Sequence, residues 1–162
     1  MWLSDRRGVL TGLAALALAG CGLRPVYGGG GAGRALRGAI RADDPVSRAD
    51  FHFVAAFEEL LGRPEGARFA LAYTIATREA GGGALQNFGA TRMQVFGTLD
   101  FTLTEGDATV AEGEITGEVA YSTTGTQLAT LTAAEDARLR LMRILAEGLV
   151  TRLYTEPGLQ AA

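Results

Sequence analysis

Ala67-Arg68-Phe69-Ala70-Leu71-Ala72-Tyr73-Thr74-Ile75-Ala76-Thr77-Arg78 alternates without a break. Phe69, Leu71, Tyr73 and Ile75 point one way; Arg68, Ala70, Ala72, Thr74 and Ala76 point the other. A period of two marks a β-strand. One apolar and one polar side mark a sheet with one face buried and one face open.

Reading toward the C-terminus, Gly81-Gly82-Gly83 predicts a turn. A long strand is expected over Leu85–Thr104, interrupted at Gly89. Met93, Val95, Gly97, Leu99, Phe101 and Leu103 share its inner face. Gln94, Thr98, Asp100 and Thr102 share the outer one, broken only by Phe96. Glu105-Gly106-Asp107 reads as a hairpin connection. The last strand is expected over Thr109–Thr123. Ala111, Ile115, Val119 and Tyr121 face inward, with Gly113 and Gly117 between them. Glu112, Glu114, Thr116 and Glu118 face outward.

Reading toward the N-terminus, Ser47–Leu61 has helical periodicity. Phe53, Phe57, Leu60 and Leu61 fall on one stripe, Ser47 and Asp50 form an imperfect capping box, and Gly62 and Pro64 end the run. Ala35–Arg41 is expected as a short first strand, Leu36, Gly38 and Ile40 alternating with Arg37, Ala39 and Arg41. At the other end, Thr132–Leu153 predicts a second helix capped by Thr132 and Glu135. Its stripe is Ala134, Ala137, Leu141, Leu145, Leu149 and Leu153. Arg138, Arg140, Arg143 and Glu147 decorate the rest, and Arg152 near the end suits the helix dipole. Pro157 and Gly158 close the domain and leave 157–162 as a tail.

The expected order is β-α-β-β-β-α. Two amphipathic helices must each bury a stripe, and the sheet offers one apolar face. The economical fold is an α+β two-layer sandwich over residues 34–156: a four-stranded, mainly antiparallel sheet with both helices packed on one face.

Residues 1–20 have another character. Arg6 and Arg7 precede an uncharged run, Gly8–Ala19, that is apolar apart from Thr11. This is the pattern of a secretory signal peptide, and the run is short of the roughly 18 residues of a membrane span. Leu18-Ala19-Gly20-Cys21 resembles the bacterial lipobox. Cleavage is expected between Gly20 and Cys21, with an S-diacylglyceryl group on the Cys21 thiol and an acyl chain on its freed amine. One chain anchors only marginally, whereas two or three hold a protein on a bilayer. Gly22, with no Asp at that position, favours sorting to the outer membrane by resemblance to proteobacterial lipoproteins. The export route is open: Asp5-Arg6-Arg7-Gly8-Val9-Leu10 partly resembles a twin-arginine signal, but paired arginines occur in many n-regions. Residues 21–33, with Gly28 to Gly31 in a row, read as a lipid-bearing flexible tether.

The chain carries a net charge of −3, which becomes −4 once Asp5, Arg6 and Arg7 are removed with the signal. That argues against a nucleic-acid partner, which normally leaves a basic footprint. Cys21 is the only cysteine, so once lipidated it leaves no disulfide within the chain. Stability must come from an apolar core, which 48% apolar residues can build.

Several candidate sites have plainer readings. Gly28, Gly30 and Gly33 match G-x-G-x-x-G, yet what precedes them is a lipid anchor and Pro25, not a strand. His52 is the single histidine and reads as a surface or half-buried helix residue. Glu112, Glu114 and Glu118 read as a solvated strand face. No Ser-His-Asp set or metal-spaced cluster is present, so no catalysis, no metal and no cofactor are expected.

Three features resemble the lipopolysaccharide-assembly lipoprotein family, LptE. They are the start Cys21-Gly22-Leu23-Arg24-Pro25-Val26-Tyr27-Gly28, the β-α-β-β-β-α order, and Ala134-Glu135-Asp136-Ala137-Arg138 followed by Leu145-Ala146 in the last helix. The glycine-rich stretch after Tyr27 and the weak first strand depart from the family pattern. The resemblance implies an outer-membrane lipoprotein lodged in the lumen of an LptD-type barrel. There it helps the barrel assemble and takes part in moving lipopolysaccharide to the outer leaflet. A polar sheet face suits a wet barrel interior. Because lipopolysaccharide carries phosphates, arginines are the expected contacts; Arg78 and Arg92 stand near the ends of the middle strands, where exposed arginines with no such role are the plainer reading. The competing reading is a lipid-anchored ligand-binding or scaffold module of the periplasm. A cavity of about 300 Å³ or more between helices and sheet would favour it.

Overall fold

The computed structural model describes residues 32–85 and 89–160. Eight elements follow in order: α1 (Ala32–Ala35), β1 (Ile40–Ala42), α2 (Arg48–Leu61), β2 (Phe69–Leu85), β3 (Gly89–Glu105), β4 (Ala108–Ser122), α3 (Gln127–Thr155) and α4 (Pro157–Gln160). The sheet order is β1-β2-β3-β4. β1 lies parallel to β2, as a helical crossover requires, and the other two pairings are antiparallel. Both long helices sit on one side of the sheet, so the two-layer α+β sandwich expected from the pattern is the fold observed.

The alternation of residues 67–78 carries through into packing. Leu71, Leu99 and Leu103 are fully buried and Phe69, Val95 and Phe101 nearly so, all on the inner face. From the helices come Phe53, Phe57 and Leu61 of α2, and Leu141, Leu145, Leu149 and Leu153 of α3. α2 starts as its sequence predicts. The Ser47 side chain accepts from Asp50 N at 3.1 Å, and the Asp50 carboxylate accepts from Ser47 N at 2.9 Å, a complete capping box. Gly62 closes it at φ 82, donating its N–H to Glu58 O, a conformation other residues adopt at a cost. Arg48 pairs with Glu135 at 2.7 Å and Arg143 with Glu59 at 2.9 Å, so the two helices run side by side in the same direction.

α3 approaches the sheet closely because of glycine. Gly97 and Gly117 are cross-strand partners. A Cβ on Gly97 would lie 3.1 Å from Leu141 and Leu145, and one on Gly117 would lie 3.0 Å from Ile144. In the opposite sense, Ile115 projects toward Gly148 of the helix, where a Cβ would meet it at 2.7 Å. Helix side chains enter glycine gaps in the sheet, and a sheet side chain enters a glycine gap in the helix.

Four boundaries differ from the sequence reading. The first strand is Ile40–Ala42, not Ala35–Arg41. Leu36 is buried through a turn, with Ala39 N donating to Leu36 O at 3.2 Å. The triple glycine at 81–83 is not the turn. In the register Leu71↔Leu103, set by matching apolar faces, β2 runs on to Leu85 and β3 begins at Gly89. Residues 86–88, which join them, lie outside the described residues. α3 begins at Gln127, five residues before the expected start. Thr126 caps it by accepting from Ala129 N, while Thr132 lies inside it and donates its hydroxyl to Leu128 O at 3.0 Å. Finally, Leu159 of α4 is 1% exposed in the core, so packing extends into the segment expected to be a tail. The short connection between β3 and β4 is as expected, with Gly106 at φ 58 in its first central position.

Candidate functional site

Among the described residues no helix lies over the outer sheet face. Its side chains stand in cross-strand rows fixed by the register: Ala72–Thr102–Glu112, Thr74–Asp100–Glu114, Ala76–Thr98–Thr116, Arg78–Phe96–Glu118 and Gly82–Arg92–Ser122. Charge is unevenly spread along the rows, although Glu118 shares a row with Arg78. Asp100, Glu112 and Glu114 gather toward the β3–β4 turn. With Asp43 at the end of β1 they line an open concavity of about 610 Å³. Arg78 and Arg92 stand at the other end. The Arg78 guanidinium lies 4.1 Å from the centre of the Phe96 ring. This cation–π contact explains how a phenylalanine persists in a polar row. Arg92 borders a smaller concavity of about 290 Å³ with Ala120 and Ser122.

Around this face the charges are tied down. At the base of β2, Arg68 Nε donates to Glu105 Oε1 at 2.5 Å and Nη2 to Oε2 at 3.2 Å. This two-pronged hydrogen bond holds the Glu105 carboxyl below its usual range. On the helix side, Arg138 Nη2 donates to Glu79 Oε1 at 2.7 Å, and Tyr121 Oη donates to Glu79 Oε2 at 3.4 Å. The bond to Glu79 raises Arg138, while burial first, and Glu79 second, raise Tyr121. Tyr73 packs 4.9 Å from Phe53, and its pKa is pushed up to about 12, mainly by burial and then by Asp50, Asp43 and Asp44. The hydrogen bonds from Arg68, Tyr121 and Arg138 join residues 37 to 59 positions apart in the chain, which no local pattern reveals.

The expected site residues fall as follows. Gly20, Cys21 and the glycines 28 and 30 lie outside the described residues, as do the signal peptide and most of the tether. Gly33 is buried in α1. Glu112, Glu114 and Glu118 are exposed on the open face. Among the described residues no group of His, Cys, Asp and Glu is placed to hold a metal ion. His52 lies at the seam between α2 and α3, beside a cavity of about 190 Å³ lined also by Ala49, Leu139 and Met142. Its Nε2 is buried without a hydrogen-bond partner. Among the described residues no helix is long and apolar enough to cross a membrane.

No protein-family profile matches the sequence, and no curated protein matches it either. Solved structures do match in fold. A candidate lipoprotein from Caulobacter crescentus CB15 superposes with a TM-score of 0.62 at 19% identity, covering 76% of this chain and 93% of that one. Rare lipoprotein B from Shewanella oneidensis gives 0.55 at 10% identity, covering 71% and 91%. A minor lipoprotein from Acinetobacter baumannii gives 0.54 at 7% identity, covering 71% and 87%. At such identities the likeness is one of fold: this chain has an architecture that is also found in lipoproteins.

Proposed function

We propose that this chain is an outer-membrane lipoprotein of the LptE kind. In this reading it is cleaved between Gly20 and Cys21, acylated on Cys21, and lodged in an LptD-type barrel. It takes part there in bringing lipopolysaccharide to the outer leaflet. The observation that carries the reading is the shared fold with rare lipoprotein B, over 91% of that chain, joined to a lipobox at Leu18–Cys21. The open, polar sheet face supports it, since a plug must present hydrophilic surface to a wet lumen. Arg78 and Arg92 are the cations we assign to phosphate contact. They stand together on one face, at the end of the sheet remote from Ala32, where the tether joins. The role is structural and non-catalytic.

The competing ligand-binding reading rests on a cavity between helices and sheet, which the open concavity on the outer face is not. The one at the helix seam, about 190 Å³, is small against the 300 Å³ and upward of typical ligand sites, which favours the plug.

Depletion of the protein in its own host tests the proposal. Surface lipopolysaccharide should fall, and an unchanged level rules out the transport role. Pull-down from detergent-solubilised outer membrane should recover a large barrel protein. If another protein is the main partner instead, the plug is ruled out.

A further inference from the structure

Three elements meet beside His52. It stands in the second turn of α2, one turn after Arg48, which reaches across to Glu135 of α3 at 2.7 Å. From α3 come Leu139 and Met142, and from β2 comes Thr77. With Ala49 these side chains line the cavity of about 190 Å³. It lies on the helix side of the sheet, away from the open face.

The chemistry of this cavity is specific in three ways. Ala49, Leu139 and Met142 give it an apolar wall. One hydrogen-bonding atom there, His52 Nε2, is buried and has no protein partner, a costly arrangement that a native structure has to answer. The charges at the rim are already answered. Arg48 is held by Glu135, and Arg138 by Glu79 at 2.7 Å and by Glu135 at 3.6 Å. Two cations face two carboxylates, so the rim is neutral as a whole.

The geometry points to this cavity as a binding site for a small neutral aromatic molecule that carries one hydroxyl, a phenol by chemical class. Its size fits: an apolar cavity of about 150 Å³ is enough to take benzene, and 190 Å³ adds room for a hydroxyl. An aromatic ring suits the Met142 thioether, which makes favourable contacts with ring edges. The hydroxyl suits His52 in either tautomer, since it can accept from an Nε2–H or donate to a bare Nε2. A charged guest is disfavoured, because it would bring a buried charge for which no partner is left. The volume is too small for a carried cargo. The guest instead fills the seam between α2 and α3, and a molecule bound only by the folded chain stabilises it. The site and the barrel-plug reading do not depend on each other.

The test is a titration of the full chain in detergent with phenol, benzene and benzoate, followed by NMR. His52 is the only histidine, so its imidazole gives a single Nε2 signal, and isotope-labelled methionine methyls report on Met142. Phenol should move both signals saturably and bind roughly tenfold more tightly than benzene, the worth of one net hydrogen bond. Benzene should still move the Met142 signal, and benzoate should move neither. His52→Leu should bring phenol down to the affinity of benzene while benzene binding persists. Leu139→Phe, at a position 40% exposed, should fill the cavity and abolish both. If His52→Leu does not fold, the ratio of phenol to benzene in the unaltered chain and the Leu139→Phe result decide the matter. No saturable change with phenol overturns the proposal and leaves the cavity to water. Equal affinities for phenol and benzene in the unaltered chain overturn the role of Nε2, and tighter binding of benzoate overturns the neutral class.

Discussion

The two faces of the sheet are made by the same strands from neighbouring residues, yet they obey different constraints. On the inner face volume is matched to the helix: Gly97 and Gly117 are empty so that Leu141, Leu145 and Ile144 can enter, and Ile115 fills the gap left by Gly148. On the outer face size hardly matters and polarity is what is arranged, with Asp100, Glu112 and Glu114 toward one end and Arg78 and Arg92 toward the other, where Glu118 shares the row of Arg78. A buried surface is specified by volume, because interiors are close-packed and voids or overlaps both cost energy. An open surface is specified by what must approach it.

The sharpest way to break this contrast is on the inner face. Leu145→Ala removes a fully buried side chain and should cost about 2–5 kcal/mol in a denaturant titration, the usual range for a core leucine. A loss below about 1 kcal/mol would mean that the helix–sheet layer is not the stabilising core. Gly97→Ala should be next, at about 1–3 kcal/mol, since its methyl group would meet two leucines at 3.1 Å. Pairing it with Leu141→Ala should recover part of the loss that either change alone causes.

Tyr73 sharpens the contrast from the rim of the inner layer. Its phenol ionises near 10 when unfolded and at about 12 when folded. The folded state disfavours the phenolate, so the stability linked to this group is fully present below pH 10 and is lost as pH rises from 10 through 12. Tyr73→Phe should flatten that decline in a stability-versus-pH series. The smallest effect belongs to the outer face. Glu114→Gln should change stability by no more than about 0.5 kcal/mol, measured by thermal melting, and a larger change would show that the open face is structurally committed.

Much of the fold is legible locally. Residues 67–78 alternate because one face meets a core and the other meets solvent, and the stripes of α2 and α3 repeat as helices must. Ser47 and Asp50 form the cap their spacing predicts. The misreadings differ in cause. Gly81–Gly83 resembles a turn, but the register with β3, whose residues are distant in sequence, carries the glycines into the ladder. Thr132 with Glu135 resembles a cap, but Thr126, six residues earlier, caps the helix first. The candidate site was half legible. The outward Glu and Thr residues were readable, and so was the anomaly of Phe96, but the stacking of Arg78 on it was not.

The sequence alone determined the layer architecture, the element order and the polarity of each sheet face, because periodicity records which side of an element meets water. It also carries Leu18-Ala19-Gly20-Cys21, which resembles a lipobox, a pattern that needs no fold to be read. Only the tertiary structure decided where β2 ends and β3 begins, how close α3 lies to the sheet, which charges pair, and which side chains gather around His52. Those depend on register and on contacts between distant residues, and a pairing energy exists only once the chain has brought both partners together.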